Sequence, residues 1–434
     1  MKRNHEVDSE SQKVNQFPLK VKLNLEPKVQ KPDAEQSPEC SEVASNNRSG
    51  SNNLVVNNPY SSELEENVGG FYNARRGFNI KGYIGKKPIG RGTQSLVWLV
   101  KKDEDYGAIK FSKSTTFLIK VALDEVQILK KLNAKSKNGH PNIVKLLEHG
   151  FLSADNALYC FMILELLGPF LFFALHHSQT EMHMENKKKI CRQVLSALSY
   201  VHRNSVIHCD VKPENIMLVI SKEDARCQAN NEKIDTATFQ IDLTDPFFDV
   251  QVKLGDFGSA RSRENDRYFK ELQTCLYRAP ETFLTTKIDT PVDIWSFGRM
   301  AYQLVFKHRL FSCNMDNNEH NLKHLNMMSS VLGPIPLAPF RENLRPEYVN
   351  FFDDSGNFID LGCVPARQNF LEMAAMHKLN VADALELDDF LRSLLKYEPS
   401  HRSTAEQALS HAFLKTNNVR ASQIKPNTQR ATSQ

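Results

Sequence analysis

The chain has 434 residues, enough for a two-lobed domain with tails and a large buried core. Its formal net charge is +4, and no stretch concentrates Lys and Arg, so the composition argues against direct binding to nucleic acid. The eight cysteines are scattered without a CxxC pair, which favours reduced intracellular thiols over a disulfide framework or a zinc site. The first eight residues lack an apolar core, so we expect no secretory signal.

The two ends of the chain are polar. Residues 1–75 are rich in Ser, Asn, Glu and Lys, and we predict a disordered N-terminal tail. Residues 415–434 predict a second, loose polar tail. The scattered cysteines and the expected lack of a secretory signal predict an intracellular protein. Because neither tail carries a clear import signal, the sequence does not distinguish the nucleus from the cytoplasm.

Strand patterns come first in the ordered part, and helix patterns follow. From about Gly82 the sequence predicts short strands at residues 96–101, 107–111, 143–149 and 159–164, interrupted by one helix between Leu118 and Leu132. Further helices are predicted at residues 187–203, 293–306, 382–396 and 405–413. This order predicts an α+β fold, with a β-rich region packed on a helical region and a cleft between them.

Residues 158–175 are almost wholly apolar and imitate a membrane span. Glu165 and the pair Gly168-Pro169 interrupt the stretch near its middle, where a charge is costly in lipid. We therefore predict a buried strand, a hinge and a short helix, and no association with a membrane.

Residues 221–250 form a polar, net acidic insertion between two apolar segments. A long loop of this kind is usually functional or disordered, and the sequence leaves both alternatives open, including a flexible segment without a role.

The most informative segment is Val206–Ile216, which follows an amphipathic helical pattern. It contains Asp210, then Lys212, then Asn215. In a protein-kinase catalytic loop these types accept the substrate hydroxyl proton, steady the phosphoryl group and hold a metal ion. Taken alone, the segment could also be a polar turn between two strands.

A glycine-rich segment lies upstream, between two strand patterns. Gly90 and Gly92 would let the backbone approach phosphates closely, but Ser95 stands at the third glycine position, and such a pattern alone fits an ordinary hairpin. Lys110 follows on the next strand, where its cation would reach phosphates. Glu125 lies on the following helix and could pair with Lys110.

Downstream, Asp256 lies in a Leu-Gly-Asp-Phe-Gly segment and matches Asn215 as a second ligand for magnesium, a cation that prefers carboxylate and amide oxygens. Residues 277–281 (Tyr-Arg-Ala-Pro-Glu), residues 293–298 (Asp-Ile-Trp-Ser-Phe-Gly) and Arg402 resemble further protein-kinase motifs. This resemblance implies a buried ion pair between Glu281 and Arg402, and implies that Asp293 binds backbone amides of the loop around Asp210.

Together these six motifs, in their order along the chain, resemble a eukaryotic-type protein kinase over residues 82–414. The resemblance implies a two-lobed fold with a small β-rich N-lobe and a larger helical C-lobe. It implies ATP and Mg²⁺ as cofactors, protein Ser/Thr hydroxyls as substrates, Asp210 as the catalytic base, Lys212 as the phosphate clamp, and Asn215 and Asp256 as metal ligands. The ATP-binding residues that it implies are Ile89, Gly90, Arg91, Gly92, Thr93, Gln94, Ser95, Leu96, Val97, Ala108, Lys110, Glu125, Leu164, Glu165, Leu167 and Met217.

Within that family, Lys212 to Asn215 resemble the serine/threonine pattern, and Arg278 and an enlarged region between Leu332 and Phe390 resemble the CMGC group. Cys209, where most kinases carry arginine, gives a loop that resembles the dual-specificity tyrosine-regulated kinases and, less closely, the homeodomain-interacting kinases. Those relatives phosphorylate Ser or Thr, often before proline, and phosphorylate an activation-loop tyrosine on themselves.

The activation loop departs from that pattern. Glu271 and Phe269 stand at the tyrosine positions, and Cys275 stands where the family has an arginine that meets the phosphotyrosine. One hypothesis is that Glu271 partly replaces the phosphotyrosine, with about one negative charge instead of about −1.5 to −2. The alternative is that the loop has drifted and has lost regulation or even activity.

Two other functions compete with an active, monomeric protein kinase. Ser95, Cys209 and the altered loop favour a non-catalytic pseudokinase scaffold that binds partners through its tails and insertion, but the complete catalytic set argues against it. A small-molecule kinase is disfavoured because residues 277–281 and the large C-terminal insertion resemble a peptide-binding surface.

Overall fold

The computed structural model describes residues 70–134, 139–177, 181–230, 239, 241–263, 272–311, 320–359 and 370–415. The chain divides into two units, and all of these residues lie in the second, Asn53–Gln434. Among the described residues, no helix combines the length and the apolar character needed to cross a membrane.

The N-terminal half is built on a six-stranded antiparallel sheet with the strand order β1-β2-β3-β4-β6-β5. One face of the sheet is buried around Trp98, Phe111 and Phe161. The strands are β1 (Asn79–Ile80), β2 (Tyr83–Arg91), β3 (Ser95–Lys102), β4 (Asp105–Ser112), β5 (Leu146–Ala154) and β6 (Ala157–Glu165).

Helix α1 (Thr116–Asn133) packs on the other side of this sheet. Thr115 caps its first turn by accepting a hydrogen bond from the Leu118 amide (3.3 Å). Its buried residues recur at the three- and four-residue spacing that puts them on one helical face. Glu125 is the charged residue among them.

The C-terminal half is mostly helical, as the sequence predicts. Helix α6 (Pro291–Phe306) is buried along almost its whole length, and most of its residues are accordingly apolar. Its helices are α2 (Leu171–His177), α3 (Met184–Arg203), α4 (Lys222–Asn230), α5 (Pro280–Leu284), α6 (Pro291–Phe306), α7 (His320–Leu332), α8 (Phe370–Met376), α9 (Val381–Leu394) and α10 (Ala405–Leu409).

Two small antiparallel ladders flank residues 208–215. Strand β8 (Ile216–Leu218) pairs with β9 (Val252–Leu254), and β7 (Val206–Ile207) pairs with β10 (Arg261–Ser262). Residues 208–215 lie between β7 and β8, so both ends of this loop are fixed by strand pairing.

Two expectations need correction, and a third is confirmed. The strand predicted at residues 143–149 begins at Leu146, because Ile143 instead makes a single parallel bridge to Leu254. The helix predicted at residues 405–413 ends at Leu409 and is followed by a separate 3₁₀ turn, Ala412–Leu414. The predicted apolar strand, hinge and short helix are confirmed as β6 and α2.

The acidic insertion is more ordered than a flexible loop. It begins with α4, and its second half is attached to α3: Asn186 Nδ2 donates to the carbonyls of Leu243 (3.0 Å) and Asp245 (2.7 Å). Lys189 Nζ donates to the carbonyl of Phe248 (2.7 Å). These contacts satisfy backbone groups that a turn-rich segment leaves without ladder partners. Residues 231–238 and 240 lie outside the described residues.

The ordered domain begins earlier than residue 82. The Tyr72 ring lies 4.9 Å from the Phe111 ring and 5.5 Å from the Tyr159 ring, so the end of the predicted disordered tail covers the apolar face of the sheet. Phe78 adds edge contacts to Trp98 (5.5 Å) and Phe111 (5.8 Å). The low apolar content before residue 75 concealed these few aromatic anchors.

Gly85 is the position that lets Phe78 reach this core. A Cβ there would lie 2.4 Å from the Phe78 ring, so we expect Gly85→Ala to lower the free energy of unfolding by about 1–3 kcal/mol through overpacking. Urea unfolding measures the change. Gly92→Ala is the control, because its Cβ would meet no atom closer than 3.9 Å. Equal stabilities of the two variants would contradict the expected clash.

Candidate active site

The first element of the site is an ion cluster between the two halves. Lys110 on β4 donates from Nζ to both carboxylate oxygens of Glu125 on α1 and to Asp256 Oδ1, each at 2.9 Å. Burial would lower the pKa of Lys110, but Asp256 and Glu125 outweigh it, and its pKa lies above the ordinary value. The pairing predicted for Lys110 and Glu125 is present, and it fixes α1 close to the sheet.

Asp256 is held at the mouth of this cluster. Its backbone is left-handed, with φ 52° and ψ 74°, a region that non-glycine residues enter rarely and mainly at functional sites. Lys110 lowers the pKa of its carboxyl to about 2, so the group is ionised at neutral pH. Its side chain is 52% exposed, whereas the next residue, Phe257, is fully buried and meets His208 edge to face (4.7 Å).

The second element is the loop around Asp210, which is buried. Asp210 Oδ2 accepts from Asn215 Nδ2 (2.9 Å) and pairs with Lys212 Nζ (2.7 Å). Asp210 Oδ1 accepts from both the hydroxyl (2.6 Å) and the amide (3.1 Å) of Thr274. Burial would raise the pKa of Asp210, but Lys212 and these hydrogen bonds lower it overall, so the group is a carboxylate.

Asp293, at the start of α6, holds the backbone of this loop. Its carboxylate accepts from the amides of His208 and Cys209, both at 2.8 Å, and contacts His202 Nε2 at 2.8 Å. This is the role predicted for Asp293. His208, which the sequence analysis did not select, contacts the carbonyl of Gly255 through Nε2 (3.0 Å) and thereby joins the two acidic segments.

Cys209 is fully buried beside the carboxylates. Burial, followed by Asp293, raises the pKa of its thiol well above the ordinary value. A protonated, inaccessible thiol fits a packing role, not a redox-sensitive one.

The glycine-rich segment is a hairpin turn between β2 and β3, in which the Gly92 amide donates to the Ser95 carbonyl (2.9 Å). Pairing is irregular between Pro88 and Gly90, around Ile89. The Arg91 guanidinium lies 4.4 Å from the centre of the Phe71 ring, outside the hairpin. Backbone groups of this turn, not the Arg91 side chain, are therefore what could contact a phosphate.

Four of the residues that the resemblance assigns to ATP binding lie on four different strands. Val97 faces Lys110 across β3 and β4, Ala108 faces Leu164 across β4 and β6, and Met217 lies on β8; each is partly exposed. The Glu165 carboxylate is engaged by Lys253 Nζ and the Lys145 amide, both at 2.7 Å. Both contacts are made to Oε1.

The donor set suits magnesium. Asp256 supplies an ionised, partly exposed carboxylate. The Asn215 nitrogen donates to the Asp210 carbonyl (2.8 Å) and carboxylate, which leaves its amide oxygen as the atom that could bind a metal. Carboxylate and amide oxygens are the ligands that Mg²⁺ prefers.

The helical region is braced as the sequence predicted. Arg402 Nη1 and Nη2 donate to the two carboxylate oxygens of Glu281 at 2.7 and 3.1 Å, and both side chains are buried. By contrast, Glu271, Phe269 and Tyr268 lie outside the described residues, so the hypothesis about Glu271 stays a prediction.

A family model described as the protein kinase domain matches residues 83–414, about three-quarters of the chain. The chain belongs to the protein kinase family. Its two-lobed α+β fold, with the paired Lys110 and Glu125 and the fixed Asp210 loop, agrees with that membership.

Three relatives illustrate the similarity. Dual specificity protein kinase CLK4 of Mus musculus is 27% identical over 315 residues, covering 70% of this chain and 60% of that protein. Serine/threonine-protein kinase AFC3 of Arabidopsis thaliana is 30% identical, covering 72% and 76%. Serine/threonine-protein kinase spk-1 of Caenorhabditis elegans is 22% identical, covering 80% and 49%.

The relatives named CLK and AFC3 are CMGC kinases, which confirms the group predicted from Arg278 and the C-terminal insertion. The chain spans about 60% of the length of the CLK relatives that it matches. The finer resemblance to the tyrosine-regulated and homeodomain-interacting kinases stays a prediction.

Proposed function

We propose that the protein is a serine/threonine protein kinase that transfers the γ-phosphoryl group of ATP to protein Ser and Thr hydroxyls. The observation that carries the proposal is the cluster in which Lys110 binds Glu125 and Asp256 at 2.9 Å. A pseudokinase has no need to keep this lysine charged and aimed at the metal-binding acid. ATP with Mg²⁺ would supply the phosphoryl group and neutralise the charge that develops on it.

The residues of the chain would divide the chemistry between the two acids. Asp210, ionised and held on both oxygens, would accept the proton of the substrate hydroxyl. Lys212, which donates to the Thr274 hydroxyl (2.7 Å) and pairs with Asp210, would place a positive charge beside the developing negative charge. Asn215 and Asp256 would hold the metal, and Lys110 would contact phosphate oxygens.

The test is a kinase assay on the purified chain with Mg²⁺ and ATP. Substrates are arrayed Ser-Pro and Thr-Pro peptides, beside the same peptides with Ala in place of Pro. We expect transfer that falls by about 10²–10⁴-fold in Asp210→Asn, because that variant loses the base. No transfer by the folded chain, together with no ATP binding, would instead support a non-catalytic scaffold.

Thr274 offers a smaller and separable effect. Thr274→Val keeps the shape and the amide contact to Asp210 but removes the hydroxyl that joins Asp210 to Lys212. Because a hydrogen bond to a charged group contributes about 1.5–3 kcal/mol, we expect kcat to fall by about 10- to 100-fold. Steady-state kinetics measures the change. Thr274→Ser, which restores the hydroxyl, should recover most of the activity, and an equal loss in both variants would argue against this role.

The regulatory hypothesis about Glu271 is part of the proposal. If its carboxylate partly replaces a phosphotyrosine, the recombinant enzyme should be active without phosphate on Tyr268 or Tyr277. Tyr277 is buried, with its hydroxyl donating to Gln303 Oε1 (2.5 Å), which disfavours it as a modification site. Loss of activity on phosphatase treatment, with phosphate mapped to either tyrosine, would contradict the hypothesis.

We expect the enzyme to act inside the cell, in the nucleus or the cytoplasm, and to be a monomer.

A further inference from the structure

A second cluster of chemically reactive side chains lies where residues 272–277, the described end of the activation segment, meet α7. Cys275 Sγ is 2.8 Å from His324 Nε2 and 3.1 Å from His320 Nε2. The three ligand atoms all lie within 4.8 Å of one another. His320 and His324 are four residues apart on one helix, so both rings lie on the same face. None of the three belongs to the catalytic cluster.

One thiolate and two imidazole nitrogens are a ligand set for zinc. With Zn–S at about 2.3 Å and Zn–N at about 2.0–2.1 Å, tetrahedral geometry separates sulfur and nitrogen by about 3.5 Å. The observed separations of 2.8 and 3.1 Å need to widen by less than about 1 Å, which small side-chain rotations provide. Three protein ligands leave a fourth position for water.

His324 is prepared to bind through Nε2. It is fully buried and stacks on the Phe283 ring, with centroids 5.6 Å apart and planes at 21°. Its Nε2 lies 2.8 Å from Cys275 Sγ, so the nitrogen that would bind an ion already faces the thiol. Among the described residues its Nδ1 has no hydrogen-bond partner, so Phe283 and the contacts of Nε2 orient the ring.

Two positive charges lie near the cluster, those of Arg299, which is buried, and Arg278. The same arginines repel a free cation, so binding must come from the direct bonds to sulfur and nitrogen, which zinc forms strongly. Cys275 and His320 are partly exposed and give an ion a path to the site.

We propose that Cys275, His320 and His324 bind one Zn²⁺ ion that fastens the activation segment to α7. Cys275 directly follows Thr274, whose hydroxyl and amide hold Asp210, so the ion would restrain the segment that positions the proposed base. Cys275 stands where relatives are expected to carry a phosphotyrosine-binding arginine, and a metal cross-link would take over that anchoring. Ion binding does not depend on the kinase activity proposed above; only its effect on catalysis does.

The test begins with metal content. The full chain, purified without a polyhistidine tag or chelator, is expected to contain about one zinc ion by elemental mass spectrometry. Replacement by Co²⁺ should give thiolate-to-cobalt charge-transfer absorption and the d–d bands of a tetrahedral site. Cys275→Ser should abolish the charge-transfer absorption. His320→Gln should weaken binding by more than the roughly 10- to 100-fold that loss of an outer hydrogen-bond partner costs.

Matched controls separate this site from adventitious binding. Cys227→Ser removes a partly buried cysteine on α4, and His401→Gln removes an exposed histidine of the C-terminal half; both should bind like the unmodified chain. Folding of every variant is checked by circular dichroism. If the chain holds no zinc and gives no cobalt bands, or if Cys275→Ser leaves the bands intact, the proposal is wrong and the contacts are ordinary hydrogen bonds.

The tether has its own readout, independent of activity. Amide exchange at residues 272–277 should be slower with zinc than after chelation in the unmodified chain, and insensitive to zinc in Cys275→Ser. Equal exchange rates in all four samples would overturn the tether. A chain that binds zinc but transfers no phosphate would contradict the proposed kinase function and leave the metal site standing.

Discussion

Asp256→Asn should lower kcat by on the order of 10³-fold, because a metal-binding carboxylate contributes several kcal/mol to stabilising the transition state. The variant also removes a negative partner of Lys110, but Glu125 keeps two contacts of 2.9 Å to the lysine. The side chain of Asp256 is 52% exposed, so the fold should survive. The loss should therefore appear in catalysis and not in stability.

Steady-state kinetics and thermal unfolding of the same preparations separate these effects. Asp249→Asn is the matched control, since Asp249 is exposed nearby and binds the side chain of Gln251 (2.8 Å) instead of a catalytic group. A higher concentration of Mg²⁺ or Mn²⁺ should recover part of the activity of Asp256→Asn by mass action. A fall of less than tenfold, without dependence on metal concentration, would show that Asp256 is not the metal ligand.

Arg402→Met should destabilise the protein by about 3–5 kcal/mol, because it leaves the Glu281 carboxylate buried without its partner. Arg402 also donates to the carbonyls of Lys396 (3.0 Å) and Pro291 (2.6 Å), which lose a donor in the same variant. Urea unfolding measures the change. The paired substitution Arg402→Met with Glu281→Met should recover much of the loss, since apolar replacements remove the unpaired charge.

Arg392→Met is the control for this prediction. Arg392 pairs with Asp388 at 2.9 Å, but its side chain is 55% exposed, and such surface pairs contribute about 0–1 kcal/mol. If the Arg402 and Arg392 variants lost similar stability, the buried pair would not brace the helical region. The comparison thus tests burial, since both arginines have a carboxylate partner.

Local chemistry made the kinase motifs predictable. Asp210, Lys212 and Asn215 lie within six residues, so chain connectivity alone keeps them close, and the structure indeed joins them by direct hydrogen bonds. The spacing of buried residues on α1 likewise follows from hydrophobic periodicity. The long-range pairs of Lys110 with Glu125 and of Glu281 with Arg402 were reached through the resemblance to a family, not through spacing.

Other features depended on contacts between segments that are distant in the sequence. The sequence around Tyr72 indicates a polar tail, but in the structure its ring packs against Phe111 and Tyr159 of the sheet. The insertion looks flexible until Asn186 and Lys189 on α3 bind its carbonyls.

The sequence by itself determined the family and the α+β order of elements, and it indicated which acids to propose as catalytic, because short motifs and hydrophobic periodicity carry this information. Only the tertiary structure decided that Cys275, 45 and 49 residues before His320 and His324, lies against both rings. The sequence argued against a zinc site because the cysteines are scattered without a CxxC pair, a criterion that considers only cysteines close together in the sequence. Folding brings Cys275 against the two histidines, so the cluster is apparent in the tertiary structure and not from the order of residues in the sequence.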